Sequence, residues 1–129
     1  MVPKFRAWDL KYKMMMRVNQ IDFEEKTVWL EADNGDHGNR HTLTREFKDV
    51  ILMQSTGLKD KNSVEIYCGD AVEWLGHRGI VEFVLNNQQT MIIGAPGYIT
   101  DLDYSTDFNT EVIGNIHENP KILGQTNES

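Results

Sequence analysis

Covalent cross-linking is excluded first. Cys68 is the only cysteine in 129 residues, so no intrachain disulfide can form, and a reducing cytoplasm is the expected compartment. Long apolar runs are also missing. Nothing approaches the roughly 18 residues that a spanning helix needs, so no membrane helix is expected. The opening Met1-Val2-Pro3-Lys4-Phe5-Arg6-Ala7-Trp8-Asp9 has no apolar core of the kind a signal peptide requires. Positive charge is scarce: 13 Lys and Arg stand against 20 Asp and Glu, a net charge of −7. An acidic chain repels phosphate backbones, which disfavours general nucleic-acid binding without excluding it. Ser55, Ser63, Ser105 and Ser129 all lack a nucleophile-elbow context, and no glycine loop matches a phosphate cradle.

What remains is an ordinary soluble composition, 40% hydrophobic and 26% charged, enough for one domain to bury a core without staples. The charge is uneven. Residues 1–20 hold Lys4, Arg6, Lys11, Lys13 and Arg17 against Asp9 alone. From Asp101 onward the acidic residues Asp101, Asp103, Asp107, Glu111, Glu118 and Glu128 face only Lys121. Surfaces of opposite sign steer association, so a basic edge meeting an acidic region of a neighbouring copy is one reading; a solvated surface is the other.

Periodicity predicts strands. Val28 and Leu30 alternate with Thr27, Trp29 and Glu31, as in a half-buried strand. Met16 and Val18 share one parity while Ile21 and Phe23 have the other, and a bulge near Asn19 and Gln20 would reconcile them. Glu24-Glu25-Lys26 reads as a hairpin turn. Residues 33–41 contain no large apolar side chain and form an exposed loop. Val50-Ile51-Leu52-Met53 reads as a strand buried on both faces. Asp60-Lys61-Asn62-Ser63 is a turn, and Val72 with Trp74, then Val81 with Phe83 and Leu85, line strand faces. Pro96-Gly97 suits a type II turn. Tyr98, Thr100, Leu102 and Tyr104 alternate with Ile99, Asp101 and Asp103, and Val112-Ile113 opens a last strand. Neither a repeat nor a long helix is evident, so the chain is expected to be mainly β, with short strands and tight turns.

Candidate chemistry is thin. Asp33, Asp36, His37 and His41 lie close in sequence, but Gly35 and Gly38 argue against the helix that would align the two histidines on zinc. Read as a calcium loop from Asp33, the ligand positions fall on Gly35, His37 and Thr44, which do not fit. No metal site and no cofactor are expected. Cys68 has no histidine near it in sequence to act as its base. Asp101 and Asp103 read as solvated carboxylates, not as an acid–base pair, and His117-Glu118 as local structure. Trp29, on the polar parity of its strand, is either an interface anchor or a core residue between layers.

Four segments carry a resemblance: Lys4-Phe5-Arg6-Ala7-Trp8-Asp9; Leu52-Met53-Gln54 with Thr56-Gly57-Leu58-Lys59-Asp60-Lys61-Asn62; Glu65-Ile66-Tyr67 with Gly69-Asp70; and Glu111 to Pro120. Together and in this order they resemble the YopX family of small phage and prophage proteins. Two positions depart from its pattern. Family members often have Gly where Ser63 stands, which eases a left-handed turn, and an acidic residue where Cys68 stands. The resemblance implies a prophage-encoded cytoplasmic protein: a single domain over 1–129, with an N-terminal β subdomain 1–56, an SH3-like barrel 57–123 and a tail 124–129. On this reading Gly69-Asp70 turns the chain into a strand over 71–75, and His77-Arg78-Gly79 turns it back. The family brings no catalytic residues, since fold does not fix function. The expectation is therefore a non-enzymatic interaction module that self-associates and binds a phage or host protein. Its candidate surface is Trp29, His77, Arg78, Lys4 and Arg6. A nucleic-acid-associated small barrel using His77, Arg78 and the N-terminal basic residues is the alternative.

Overall fold

The computed structural model describes residues 4–32, 41–84, 88–94 and 97–121. Among them the mainly-β expectation holds: eleven strands and two short 3-10 turns, with no α-helix and only antiparallel pairing. The strands are β1 (Phe5–Asp9), β2 (Met14–Asp22), β3 (Thr27–Ala32), β4 (His41–Glu46), β5 (Val50–Lys59), β6 (Glu65–Tyr67), β7 (Asp70–Trp74), β8 (His77–Val84), β9 (Gln89–Ile93), β10 (Tyr98–Asp101) and β11 (Thr110–Asn115). The chain divides into two compact units, Met1–Gln54 and Ser55–Ser129, with the division inside β5.

In the first unit the strand order is β4-β3-β2-β1-β5. Alternation puts Ala7, Met16, Val28, Leu30, Ala32 and Val50 into one buried cluster, with Val18, Ile21, Leu43, Phe47 and Leu52 packed against it. The parity conflict in β2 is resolved by a register shift between Val18 and Gln20, as expected at Asn19. The following hairpin is closed by Asp22, whose Oδ1 accepts the Glu24 and Glu25 amides at 3.0 Å each. Lys26 then adopts a left-handed φ of 56°. A 3-10 turn, Phe47–Asp49, joins β4 directly to β5. Arg45 on β4 meets Asp9 on β1 at 2.9 Å. These strands are three apart in the order, so the sheet is strongly curled. One expectation is modified here: Val50 and Met53 are buried, but Ile51 is 39% exposed. The run 50–53 is thus not buried on both faces.

In the second unit the end of β5 pairs with β6, and a five-stranded sheet has the order β10-β9-β8-β7-β11. Leu58, Ile66, Val72, Val81, Ile92 and Leu102 form its core, with Trp74, Ile99 and Val112 packed against it. The sheet is not closed into a barrel. β10 and β11 are its end strands, and β10 stops after four residues, where Asp103 folds the chain into a turn.

The hairpin between β7 and β8 corrects the sequence reading. Its turn is Leu75-Gly76, with φ of 48° and 84°, the paired left-handed conformation that matches strand twist. His77, Arg78 and Gly79 already belong to β8, opposite Trp74, Glu73 and Val72. Gly79 is required by contact: a Cβ there would lie 2.6 Å from Ile92 Cγ2 and 3.0 Å from the Ile93 carbonyl. Ser63, in the turn before β6, has φ 66°, the left-handed conformation that a glycine would adopt more easily. β10 also departs from simple alternation. A register shift between Tyr98 and Thr100 lets both Ile99 and Leu102 join the core, leaving Tyr98 and Tyr104 outside. The expected loop and metal candidates at 33–40, Leu85, Pro96 and the tail from residue 122 lie outside the described residues.

Candidate interaction surfaces

Side chains on the outer face of the first sheet follow from register. Arg6 stands opposite Arg17, Arg17 opposite Glu31, and Glu31 opposite Thr42. Directly opposed residues share a face. Arg17 Nη2 lies 3.5 Å from Glu31 Oε1, and Asn19 Nδ2 donates to Glu31 Oε2 at 3.0 Å. Trp29, two residues before Glu31 and so on the same face, stands opposite Gln20 and Thr44 and is 46% exposed. Its alternative as a core residue between layers does not hold. Arg6 places Nη2 3.8 Å from Met53 Sδ, and Lys4 is exposed just ahead of β1.

His77 and Arg78 lie in the second unit. As consecutive residues of β8 they point to opposite faces. His77 stacks on Trp74, with ring centroids 6.3 Å apart and planes at 28°. Arg78 Nε is 3.5 Å from Glu73 Oε2. The five candidate residues therefore fall into separate groups: Arg6 and Trp29 on one face of the first unit with Lys4 just ahead of β1, and His77 and Arg78 on opposite sides of a hairpin in the second.

Buried polar side chains were the larger omission of the sequence reading. Asp9 is fully buried. Its Oδ1 accepts Arg45 Nε at 2.9 Å and its Oδ2 accepts the Tyr12 amide at 2.9 Å. Burial pushes its pKa up, but the Arg45 hydrogen bond, the Tyr12 amide and the guanidinium charge together outweigh burial, and the carboxyl is held below its usual value of 3.8. The hydrogen bond to Asp9 in turn raises Arg45, whose guanidinium carbon sits 5.0 Å from the centre of the Tyr12 ring.

Asp60 does comparable work in the second unit. Its Oδ1 accepts the amides of Asn62 (2.8 Å) and Val64 (2.9 Å), and its Oδ2 accepts that of Val112 on β11 (2.8 Å). Asp70 accepts the Tyr67 amide at 2.8 Å. Asn115 Oδ1 accepts the amides of His117 (3.0 Å) and Glu118 (2.8 Å). These four buried polar residues, Asp9, Asp60, Asp70 and Asn115, each accept at least one backbone amide. Cys68 is half-buried in the turn between β6 and β7. Among the described residues, no three His, Cys, Asp or Glu side chains are grouped as a metal site would require. No helix among them is long and apolar enough to cross a membrane.

A further surface was not recognised from the sequence. Tyr98, Tyr104 and Phe108 are 61%, 82% and 62% exposed, interspersed with Asp101, Asp103 and Asp107. The Tyr98 hydroxyl donates to Asp101 Oδ1 at 3.1 Å, which raises the phenol pKa. Ser105 donates its hydroxyl and its amide to Asp103 Oδ1 and lowers that carboxyl. The available signal was the absence of Lys and Arg from 79 to 120, in a stretch that still carries exposed-type aromatics.

The fold and these surfaces define a two-unit β protein in which several buried polar side chains hold backbone amides. A family model described as YopX protein matches residues 4–124, and the chain belongs to the YopX family. Among solved structures it is similar to protein EF1440 from Enterococcus faecalis, with 28% identity and a TM-score of 0.61 over 95% of this chain and 99% of that one. No curated protein matches it.

Proposed function

We propose that this chain is a non-enzymatic interaction module of a prophage, acting in the cytoplasm, that self-associates and binds a phage or host protein. The observation that carries this reading is Trp29. A large aromatic stands 46% exposed in the middle of a three-strand face, bounded by Gln20, Thr44 and the Arg17–Glu31 pair. Such a side chain, rigid and half-desolvated in advance, is a typical anchor of a protein interface. The SH3-like character finds its support in the first unit and not in residues 57–123. Five strands in the order β4-β3-β2-β1-β5, with a 3-10 turn between β4 and β5, are consistent with the strand order of SH3-like barrels. The nucleic-acid alternative has less to draw on, because Arg78 is paired with Glu73 and His77 is stacked on Trp74.

Capture from host lysate with the tagged wild type and with Trp29→Ala, each with and without nuclease, tests the proposal. A stoichiometric protein partner that survives nuclease and is lost with Trp29→Ala is the expected result. Loss of every partner on nuclease treatment would favour the nucleic-acid reading, and no partner under any condition would overturn both.

A further inference from the structure

The charge of the protein is divided between its units. Residues 1–54 hold nine basic and nine acidic residues. Residues 55–129 hold Lys59, Lys61, Arg78 and Lys121 against eleven acidic residues, which accounts for the whole net charge of −7. Within the second unit β10 is an end strand, so one of its edges has no partner strand among the described residues. Beside it stand the exposed Tyr98, Tyr104 and Phe108. The segment is held in shape from within: Thr106 Oγ1 donates to the Asp101 carbonyl at 2.9 Å, and Thr110 Oγ1 donates to the Thr106 carbonyl at 2.9 Å. Three large exposed rings carried within one pre-shaped segment lose little entropy on binding, and exposed apolar side chains in such number are candidates for an interaction site.

The first unit carries its counterpart. The turn Leu10-Lys11-Tyr12-Lys13 between β1 and β2 exposes Leu10 (44%), Tyr12 (64%) and both lysines. It too is held in shape. The Leu10 amide donates to the Asp49 carbonyl at 3.0 Å and the Lys13 amide to the Asp9 carbonyl at 2.8 Å. The carboxylate next to it in sequence, Asp9, is buried and paired with Arg45, so within residues 10–13 two exposed lysines alternate with Leu10 and Tyr12. The edge presents the converse, carboxylates alternating with rings.

We propose that the Leu10–Lys13 turn of one copy docks on the Tyr98–Phe108 edge of a second copy. Apolar contacts between Leu10, Tyr12 and the three rings supply the attraction, and Lys11 and Lys13 against Asp101, Asp103 and Asp107 supply the orientation. The two surfaces differ, so each copy can both offer the turn and accept it. One turn against one short edge buries less than the roughly 1,200 Å² of a standard interface, so the association is weak, concentration-dependent and reduced by salt. The proposal rests on the self-association in the reading above and gives it a location.

Sedimentation velocity on the full chain tests it. Four proteins are needed: wild type, the turn variant Lys11→Glu/Lys13→Glu, its charge-preserving control Lys11→Arg/Lys13→Arg, and the edge variant Tyr104→Ser/Phe108→Ser. All four positions are exposed, and circular dichroism checks that each variant is folded. Wild type is expected to exceed the 14.9 kDa monomer mass at roughly millimolar protein and low salt. Each variant alone should lose about tenfold or more in association constant. A mixture should recover a 1:1 dimer and nothing larger, because the turn variant keeps an intact edge and the edge variant keeps an intact turn. Lys11→Arg/Lys13→Arg should associate as wild type does. Self-association untouched by either variant would overturn these surfaces while leaving an interaction module standing. Failure of the mixture to form a dimer would overturn the turn-to-edge pairing. A wild type that stays monomeric yet binds a lysine-rich peptide would overturn the second-copy occupant and assign the edge to a basic partner.

Discussion

Replacing Arg45 by Met is the most searching perturbation of the first unit. The substitution keeps an unbranched aliphatic stem and removes the guanidinium both from Asp9 and from the face of the Tyr12 ring. Asp9 is fully buried and the pair is close, 2.9 Å, with only 14% of the Arg45 side chain exposed. The variant leaves a buried carboxylate with the Tyr12 amide as its main remaining donor. Breaking a buried pair from one side costs about 3–5 kcal/mol, a large part of the roughly 5–15 kcal/mol that holds a domain folded. The pH dependence makes the test specific. In the wild type the folded-state pKa of Asp9 lies below its ordinary 3.8, so the pair's contribution is complete above that value and is lost as the pH falls through the folded-state pKa. In Arg45→Met the guanidinium no longer offsets burial, so the folded-state pKa moves up from its wild-type position. The neutral acid is then favoured, and protonation relieves the variant as pH falls. The stability gap between the two proteins should be widest near neutral pH and should narrow by about pH 3. Urea denaturation followed through amide resonances of β1 to β4 measures it. A gap under about 1 kcal/mol at neutral pH, or one that does not change on acidification, would refute the assignment of Asp9 and Arg45 as a buried charged pair.

Two other substitutions probe the second unit. Asp60→Ala removes the acceptor of three backbone amides, those of the exposed residues Asn62 and Val64 and that of Val112 on β11, and should cost about 1–3 kcal/mol; thermal unfolding gives the value, and Asp60→Asn should cost less because it keeps one oxygen. Leu75→Asn should stabilise the β7–β8 hairpin by about 0.5–1 kcal/mol, because Leu75 holds φ 48° ahead of Gly76 and Asn-Gly is the pair that this turn favours; a lower melting temperature in the variant would show that Leu75 packs usefully where it stands.

Local pattern was legible wherever two neighbouring strands explained each other. The bulge at Asn19, the Glu24–Lys26 turn, and the shared face of Val72 and Trp74 all follow from parity within a short stretch. Long-range pairing was not. β1 bonds to β5 over a separation of more than forty residues, and nothing in either segment encodes that choice. The Leu75-Gly76 turn was missed because leucine is a poor turn former, and its neighbour Gly79 attracted the assignment although it is a glycine for close packing. Alternation misled at β10, where one extra residue brought Ile99 and Leu102 to the core and expelled Tyr98 and Tyr104. For the surfaces, Trp29 was visible as an anomaly of parity. The separation of His77 from Arg78 required knowing that both lie within a strand.

The buried polar residues described above carry a consequence for how this lineage is read. Each segment by which the chain resembles its family includes one of them: Asp9 in the first, Asp60 in the second, Asp70 in the third and Asn115 in the fourth. In this chain the four segments that carry the resemblance thus supply hinges and clasps for the main chain, an instruction about folding and not about trade. Two members could spell those clasps alike and greet quite different molecules. In this chain the face around Trp29 and the cation-free edge that carries Tyr98, Tyr104 and Phe108 lie outside all four of those segments.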